Sequence, residues 1–500
     1  MERRLPDASV RWTDEADQRR LERRWAAEHP KRFLAATVAV GTVDQALLSV
    51  VQTAHAHLRS VCLDRALLVV DEVHASDVYM SRLLEQLLRY HLGVGGRALL
   101  LSATLGSAAR NRYVAVAAGQ PADDDLETSC KRPYPSLTTA TGNLTEAGDS
   151  GQAKHAAFET QPFALEPERV IERLTEALAK GARVLVVTNT VGRAVALQRA
   201  VEACEAIDSN WLFHVNDVRC PHHGRFAAAD RVILDKAVTA RLGKDSAPGP
   251  LLLIGTQTLE QSLDIDADLL VTDLAPADVL LQRVGRLHRH DRQRPTGFEA
   301  SRCLVLVPDK PLVELLDDKG EVAGHYKRLG YGSVYPDLRT LALTLEAIRD
   351  LSEIEVPRDN RTLVERATHP EALAQLDEAD ARWGRHGQAI SGSELMQAIQ
   401  AGTVLMDSGQ YFGQFTFNEM GGKVATRLGA DTWRLPLNRP VDSPFGQRLT
   451  ELQIPDHLAS RSDDALQVVA TGGDGLTLQW GETCYCYSRF GLEKLEKEVP

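Results

Sequence analysis

The run Leu67-Leu68-Val69-Val70 stops abruptly at Asp71-Glu72-Val73-His74, and no other octet of the chain limits the fold so tightly. Four apolar residues ending in two carboxylates and a histidine read as a buried parallel strand that delivers charge at its carboxyl end. In an α/β sheet that end is where ligands bind. Two adjacent acids there suit a nucleotide phosphate site, one holding Mg²⁺ and the other polarising a water. An ordinary strand followed by a solvated acidic turn accounts for the octet equally well when it is taken alone.

The rest of the chain weighs between the two. Its 500 residues suggest roughly three domains. With 43% hydrophobic and 25% charged residues it has apolar material for several cores. No apolar stretch approaches the roughly 20 residues that span a bilayer, and Met1-Glu2-Arg3-Arg4 opens no apolar leader segment. A membrane role is not expected. Seven scattered cysteines point to a reduced, cytoplasmic setting. Cys484 and Cys486 share one strand face, without further ligands nearby for a metal. The net charge of −12 argues against a simple electrostatic nucleic-acid binder. It leaves room for a groove that grips a backbone through amides, hydroxyls and a few arginines.

Residues 1–35 are polar and read as helical; from Ala36 the pattern is α/β. The spacing predicts a helix over 43–58, strand 66–70, helix 78–92 and strand 97–101. A stretch without periodicity over 139–165 reads as a linker. Helix 167–180, strand 184–187, helix 191–205 and strands at 211–215, 251–254 and 269–272 follow, with a helix starting at Pro276. Strands alternating with helices imply parallel sheets. Beyond about 310 come helical pieces at 336–351, 361–377 and 393–401, then short alternating segments at 411–417, 423–436 and 476–488. The expected division is 1–150, a partial first parallel-sheet domain; 165–310, a second; and 311–500, a small α+β accessory domain.

Six segments occur in a fixed order: Val40 to Gln45, Asp71 to His74, Ser102-Ala103-Thr104, Thr188-Asn189-Thr190, Gly255 to Asp266, and Gln282 to Arg289. Ser102 and Thr104 end the next strand beside the acids, although helix capping explains either hydroxyl alone. Gln282, Arg286 and Arg289, at i, i+4 and i+7, share one helical face. Permanently charged guanidiniums so placed suit phosphate charge, while a solvated basic face is the commoner use of such a pattern. Gly285 within that helix costs about 1 kcal/mol relative to alanine and hints at close backbone approach.

In this order the segments resemble the motifs of superfamily-two DExH helicases, in which two RecA-like domains sandwich ATP. The phrases Gly41-Thr42-Val43-Asp44-Gln45, Asp71 to Met80, Glu260 to Asp266, His222-His223-Gly224-Arg225-Phe226 and Leu281 to His290 are similar to the CRISPR-associated helicase of type I systems. The resemblance runs from about 36 to 310, and Ala425 to Gly429 is similar to that family's C-terminal part. It implies an ATP-dependent single-stranded DNA translocase working with a Cascade-type effector complex against foreign DNA. It further implies that Asp71 holds Mg²⁺ through water and that Glu72 deprotonates the attacking water. His74, Ser102 and Thr104 would couple ATP to domain closure. Arg286 and Arg289, with Gln282 beside them, would reach the γ-phosphate, Asp264 would lie near the ribose, and Thr42, Thr190 and Thr256 would touch the DNA backbone. His222 and His223, with Cys220 near, are better explained by the family's His-Gly-Arg-Phe loop than by a metal.

Two family parts are not found in the sequence. No Gly-Lys-Ser or Gly-Lys-Thr occurs, so the phosphate-binding loop with its lysine is not in these 500 residues. Nor is there an HD nuclease constellation; His290-Asp291 belongs to the arginine segment. The expectation is a truncated or split helicase whose first sheet presents an apolar edge and face, partnered by a separate HD nuclease, a missing N-terminal half, or both. A catalytically dead binding fragment and an RNA helicase of another DExH branch are the alternatives.

Overall fold

The computed structural model describes residues 34–73, 77–119, 124–148, 153–260, 263–406, 432–460, 462, 465–472 and 475–495. The helix expected in 1–33, His74, Gln261-Ser262 and the Ala425–Gly429 phrase lie outside the described residues, as do the segment 411–417 and the first part of 423–436. The chain divides into two compact units, one holding residues 1–124, 136–145 and 391–428, the other 125–135, 146–390 and 429–500.

In the first unit β1 (Leu67–Val70) pairs in parallel with β2 (Arg97–Leu100), Leu67 beside Arg97 and Val70 beside Leu100. The helix expected over 43–58 is two helices, α1 (Val43–Leu47) and α2 (Ala56–Leu63). Between the strands runs α3 (Val78–Gly93), started by the Asp77 carboxylate, which accepts the Met80 amide at 2.7 Å. Leu83, Leu84, Leu87 and Leu88 fall on one face of α3 and pack with Leu47, Val51, Leu68 and Val70. α4 (Ser107–Ala118) follows β2. Among the described residues the sheet is covered on one side only. Leu68 and Val70 are buried, but Leu67 is 62% and Val69 51% exposed, and Leu99 and Leu101 are exposed too. These exposed residues lie on the apolar face expected of this sheet, since an apolar run buries only where neighbours exist on each side.

The second unit is built on a six-stranded sheet of order β8-β3-β7-β6-β4-β5, where β3 is Lys154–Gln161, β4 Arg183–Val187, β5 Leu251–Gly255, β6 Leu269–Asp273, β7 Arg302–Leu306 and β8 Glu353–Val356. All neighbours are parallel except β8, which is antiparallel to β3. Every residue of β4, β5 and β6 is buried. Helices α5 (Pro167–Ala179), α6 (Val191–Glu202), α7 (Ala228–Leu242) and α8 (Ala277–Val284) connect these strands. β3 falls inside the stretch expected to be a linker. Its sequence Lys-His-Ala-Ala-Phe-Glu-Thr-Gln has too few branched residues to read as a strand, yet only Ala156 must be buried there.

Residues 311–390, assigned by the sequence to an accessory domain, share this core: α9 (Leu338–Leu351) leads into β8, and Leu338, Leu341 and Ile348 are buried. The piece expected over 361–377 is two helices, Asn360–Thr368 and Pro370–Ala379, because proline cannot continue the first and starts the second. A hairpin of β9 (Thr432–Asp442) and β10 (Arg448–Pro455) and an antiparallel meander of β11 (Gln467–Gly472), β12 (Gly475–Trp480), β13 (Thr483–Ser488) and β14 (Gly491–Lys494) complete the unit. Cys484 and Cys486 lie half-buried on one face of β13, opposite the buried Tyr485 and Tyr487.

Candidate functional site

At the end of β1 the parallel ladder continues past the strands: Leu101 donates to the Val70 carbonyl at 2.8 Å and Val73 to Leu101 at 3.2 Å. Asp71 and Glu72 are both exposed between these two bonds. Glu72 has φ +57°, a left-handed conformation that non-glycine residues rarely adopt and that recurs at functional sites. Its amide donates to Asp71 Oδ1 at 2.9 Å. Two neighbouring solvent-facing carboxylates supply the hard oxygen donors that Mg²⁺ selects, so this donor set fits the cation. One strand over, the Thr104 amide donates to Ser102 Oγ at 3.1 Å, while the Thr104 hydroxyl is buried with no hydrogen-bond partner. Thr42 caps α1 with an exposed side chain that makes no capping bond.

In the second unit the carboxyl ends of β4, β5 and β6 gather three of the sequence segments around one side chain. Arg283 is fully buried on α8. It reaches Glu260 at 2.7 Å, the Thr272 hydroxyl at 2.6 Å, the Asp273 carbonyl at 3.0 Å, Asn189 Oδ1 at 3.0 Å and the Tyr335 hydroxyl at 3.0 Å. A guanidinium with its donors occupied by oxygens from four chain segments locks those segments in register. Burial opposes its charge, but Tyr335, Glu260 and Asp273 together hold its pKa above the usual arginine value. The sequence reading passed over Arg283. The available signal was its place on the buried face of α8, beside Leu280 and Val284, where a solvated charge does not belong.

The shared helical face expected for Gln282, Arg286 and Arg289 is not what forms. α8 ends at Val284 and Gly285 is its cap, so Gln282 lies on the helix and both arginines beyond it. A Cβ on Gly285 would come 3.0 Å from the Gln282 carbonyl, so the glycine permits a tight exit from the helix. A bridge to Ala267 then fixes the segment: Ala267 donates to the Arg286 carbonyl and His288 to the Ala267 carbonyl, each at 3.0 Å. Arg286 donates to the Glu260 carbonyl. Arg289, partly exposed, pairs with Asp264 at 2.6 Å, and its amide donates to Asp266 Oδ1 at 2.7 Å. Asp264 is thus brought together with Arg289.

The expected backbone-contact threonines are placed differently from one another. Thr190 caps α6, accepting the Arg193 amide at 3.3 Å and donating to the Arg328 carbonyl at 2.8 Å. Thr256 is only 2% exposed. Its neighbour Thr258 borders a cavity of about 780 Å³ that Arg231, Asp235, Lys236, Thr239 and Gln257 also line. His222 is buried behind it, Nδ1 to the Thr258 hydroxyl at 2.8 Å and Nε2 to Asp235 at 2.7 Å.

His223 accepts the Arg225 amide at Nδ1, 3.2 Å, and donates from Nε2 to the Phe490 carbonyl at 3.1 Å, stacked on Phe226. Burial, and then the nearby Arg225 charge, push its pKa down to about 3. All four ring nitrogens of His222 and His223 are engaged by protein atoms. Among the described residues no group of three or more His, Cys, Asp or Glu side chains is arranged to hold a metal ion. No described helix is long and apolar enough to cross a membrane.

Residues 180–292 match the family described as CRISPR-associated nuclease/helicase Cas3, C-terminal. The chain is 30% identical over 452 residues to the CRISPR-associated endonuclease/helicase Cas3 of Escherichia coli K12, covering 87% of this chain and 46% of that protein. It therefore spans about half the length of that relative. Among solved structures, a crystal structure of a CRISPR-associated protein superposes with TM-score 0.72 at 27% identity, covering 93% of this chain and 55% of the other. The crystal structure of T. fusca Cas3-AMPPNP gives 0.66 at 26% identity, covering 84% and 47%.

Proposed function

We propose a function from one premise: the chain is a Cas3 helicase region. Completed by a phosphate-binding segment, it is an ATP-driven translocase on single-stranded DNA that serves type I CRISPR interference beside a Cascade-type complex and an HD nuclease. The observation that carries this reading is the convergence of the 189–190, 256–266 and 282–289 segments on the carboxyl end of one parallel sheet through buried Arg283. The crystal structure of the T. fusca relative in its AMPPNP form supports a nucleotide as the ligand.

ATP with Mg²⁺ would supply the phosphoanhydride bond and the charge that activates a water. Asp71 would hold the cation through water, and Glu72 would take the proton from the attacking water. Arg286 and Arg289 would stabilise charge on the transferred phosphate, with Gln282 near them and Asp264 toward the ribose. The Arg289–Asp264 pair is partly solvated, so giving it up for an Arg289–phosphate contact would strand neither charge in a dry interior. Thr42 and Thr190 would follow the strand backbone without reading its sequence, whereas Thr256, only 2% exposed, would reach it only if the backbone around it opened. Ser102 and Thr104 would transmit the nucleotide state; the unpaired Thr104 hydroxyl is the group with bonding capacity left for a closed state. His74 is assigned to the same coupling.

The test is ATP hydrolysis with and without single-stranded DNA, in the presence of a Gly-Lys-Thr-bearing segment. DNA-stimulated turnover is expected, and Glu72→Gln abolishes it; undiminished turnover in that variant removes Glu72 as the base. A preference for RNA over DNA as activator would move the chain to another DExH branch. A second reading, a binding module with a silent ATP site, is favoured by the sequence's lack of Gly-Lys-Ser/Thr. Titrating Mg·ATP onto the chain with a Gly-Lys-Thr-bearing segment supplied separates the two, since micromolar affinity requires a working site.

A further inference from the structure

The first residue of β3, Lys154, folds inward and donates from Nζ to the carbonyl oxygen of Val284. Val284 is the last residue of α8, and its carbonyl has no partner within the helix. The same oxygen accepts the Leu287 amide at 3.0 Å. Both of its lone pairs are thus used, one by the turn that leads to the arginines and one by a lysine 130 residues away. A cation at a helix C-terminus also meets the negative end of the helix dipole.

The position is costly for an ammonium. The site is half-buried, and the charges facing it are Asp266, which favours the charged form, and Arg289, Arg294 and Arg286, which oppose it. Desolvation is the largest cause, and together these effects lower the Lys154 pKa to about 8. A cation held among three others and bonded to the Val284 carbonyl is explained by what that carbonyl controls. From Val284 the chain leaves the helix, turns at Leu287 and meets Ala267 and Asp266, which fix the backbone of 286, 288 and 289 from the other side.

We propose that Lys154 is a positioning residue that sets the direction in which Arg286 and Arg289 leave α8, by clamping the Val284 carbonyl from β3. This rests on the reading of those arginines as the phosphate-facing groups. The clamp itself is independent of that reading, so two measurements on the full chain separate them.

The first is amide hydrogen exchange in Lys154→Met and Lys154→Arg, with β6 as the internal control. Loss of a charged hydrogen bond of this kind speeds exchange at Leu287 and His288 about tenfold or more in Lys154→Met, with β6 unchanged and Lys154→Arg close to wild type. Raising the pH from 7 to 9 deprotonates Lys154, so in wild type it produces the same local acceleration beyond intrinsic base catalysis. Lys154→Arg does not respond. Unchanged exchange at 287–288 in Lys154→Met, or equal acceleration in β6, overturns the clamp. The second is DNA-stimulated ATP hydrolysis with the phosphate-binding segment supplied. A lower kcat in Lys154→Met, rescued by arginine, supports the clamp's role in turnover. Altered exchange with turnover indifferent to Lys154 and to Arg286→Ala leaves the clamp standing and overturns the phosphate-facing assignment of the arginines.

Discussion

Two parallel sheets in this molecule are written in nearly the same language and meet different fates. β1, Leu-Leu-Val-Val, and β5, Leu-Leu-Leu-Ile-Gly, are both apolar runs that end at a candidate site. β5 is buried along its whole length, whereas β1 leaves alternate side chains in solvent. The difference is in their surroundings. β5 lies at the edge of its six-stranded sheet, but bridges from Leu212 and His222 cover its free edge and the surrounding core buries it; among the described residues β1 has one partner strand and α3 on one face. Sequence pattern thus specifies the capacity of a strand for burial, and the neighbours decide how much is realised. The exposed side of β1–β2 is the surface a strand–loop–helix segment would cover, which is why the proposed activity is assigned to the chain with such a segment added.

The comparison can be broken most severely at the centre of the second unit. Arg283→Met removes a fully buried cation and strands Glu260, with a loss of about 3–5 kcal/mol in urea denaturation. Arg82→Met on α3 of the first unit, an exposed partner of Glu85, changes stability by about 1 kcal/mol or less. Equal losses would mean that the Arg283 network is not a structural hub. The strands themselves give the next effect. Leu253→Ala in β5 costs about 2–5 kcal/mol, against about 0.5 kcal/mol or less for Leu67→Ala in β1. A large loss at Leu67 would show that its face is covered in solution.

Acid provides a third contrast of about 2 kcal/mol. His223 has its pKa depressed to about 3 in the folded chain, so the unfolded chain binds the proton first. Its contribution is complete above about pH 6.5 and is lost progressively as pH falls from there toward 3. At pH 5 the loss is about 2 kcal/mol. Denaturant titrations at pH 7 and 5 should show the second unit losing this amount and His223→Gln losing correspondingly less; identical pH slopes would contradict the buried neutral imidazole. The smallest thermodynamic effect belongs to the double variant Leu67→Lys/Val69→Lys, within about 0.5 kcal/mol. It should nonetheless lower binding of a hydrophobic dye and self-association in light scattering, because it charges the open face.

Much of the second unit was legible because β4, β5 and β6 are dense Val, Leu and Ile runs, and a strand buried on both faces can be little else. β3 was not. Its partners β7 and β8 supply the ladder, and a strand with one buried alanine leaves no hydrophobic signature to read. The Asp71-Glu72 pair and the Arg286, Arg289 and Asp264 set were found from spacing and resemblance. The geometry that presents the arginines was misread, since a 3.6-residue period cannot announce that Gly285 ends the helix. Arg283 escaped because its partners lie 11, 23, 52 and 94 residues away in the chain. A charge inside an amphipathic helix reads as solvated until those partners are known.

The grip of the terminal strands on the 222–230 segment has a consequence for biosynthesis. Asp230 is buried between the Ser443 hydroxyl, at 2.6 Å, and the Tyr487 hydroxyl; His223 faces Phe490; and Leu492 donates to Arg225 at 3.0 Å. All six strands of the central sheet are synthesised by residue 356, well before Ser443 and more than a hundred residues before Tyr487, Phe490 and Leu492. Over that interval a carboxylate and an imidazole wait uncovered beside nascent apolar surface. Closure of the second unit around Asp230 and His223 therefore has to wait until residues 443–492 have been made.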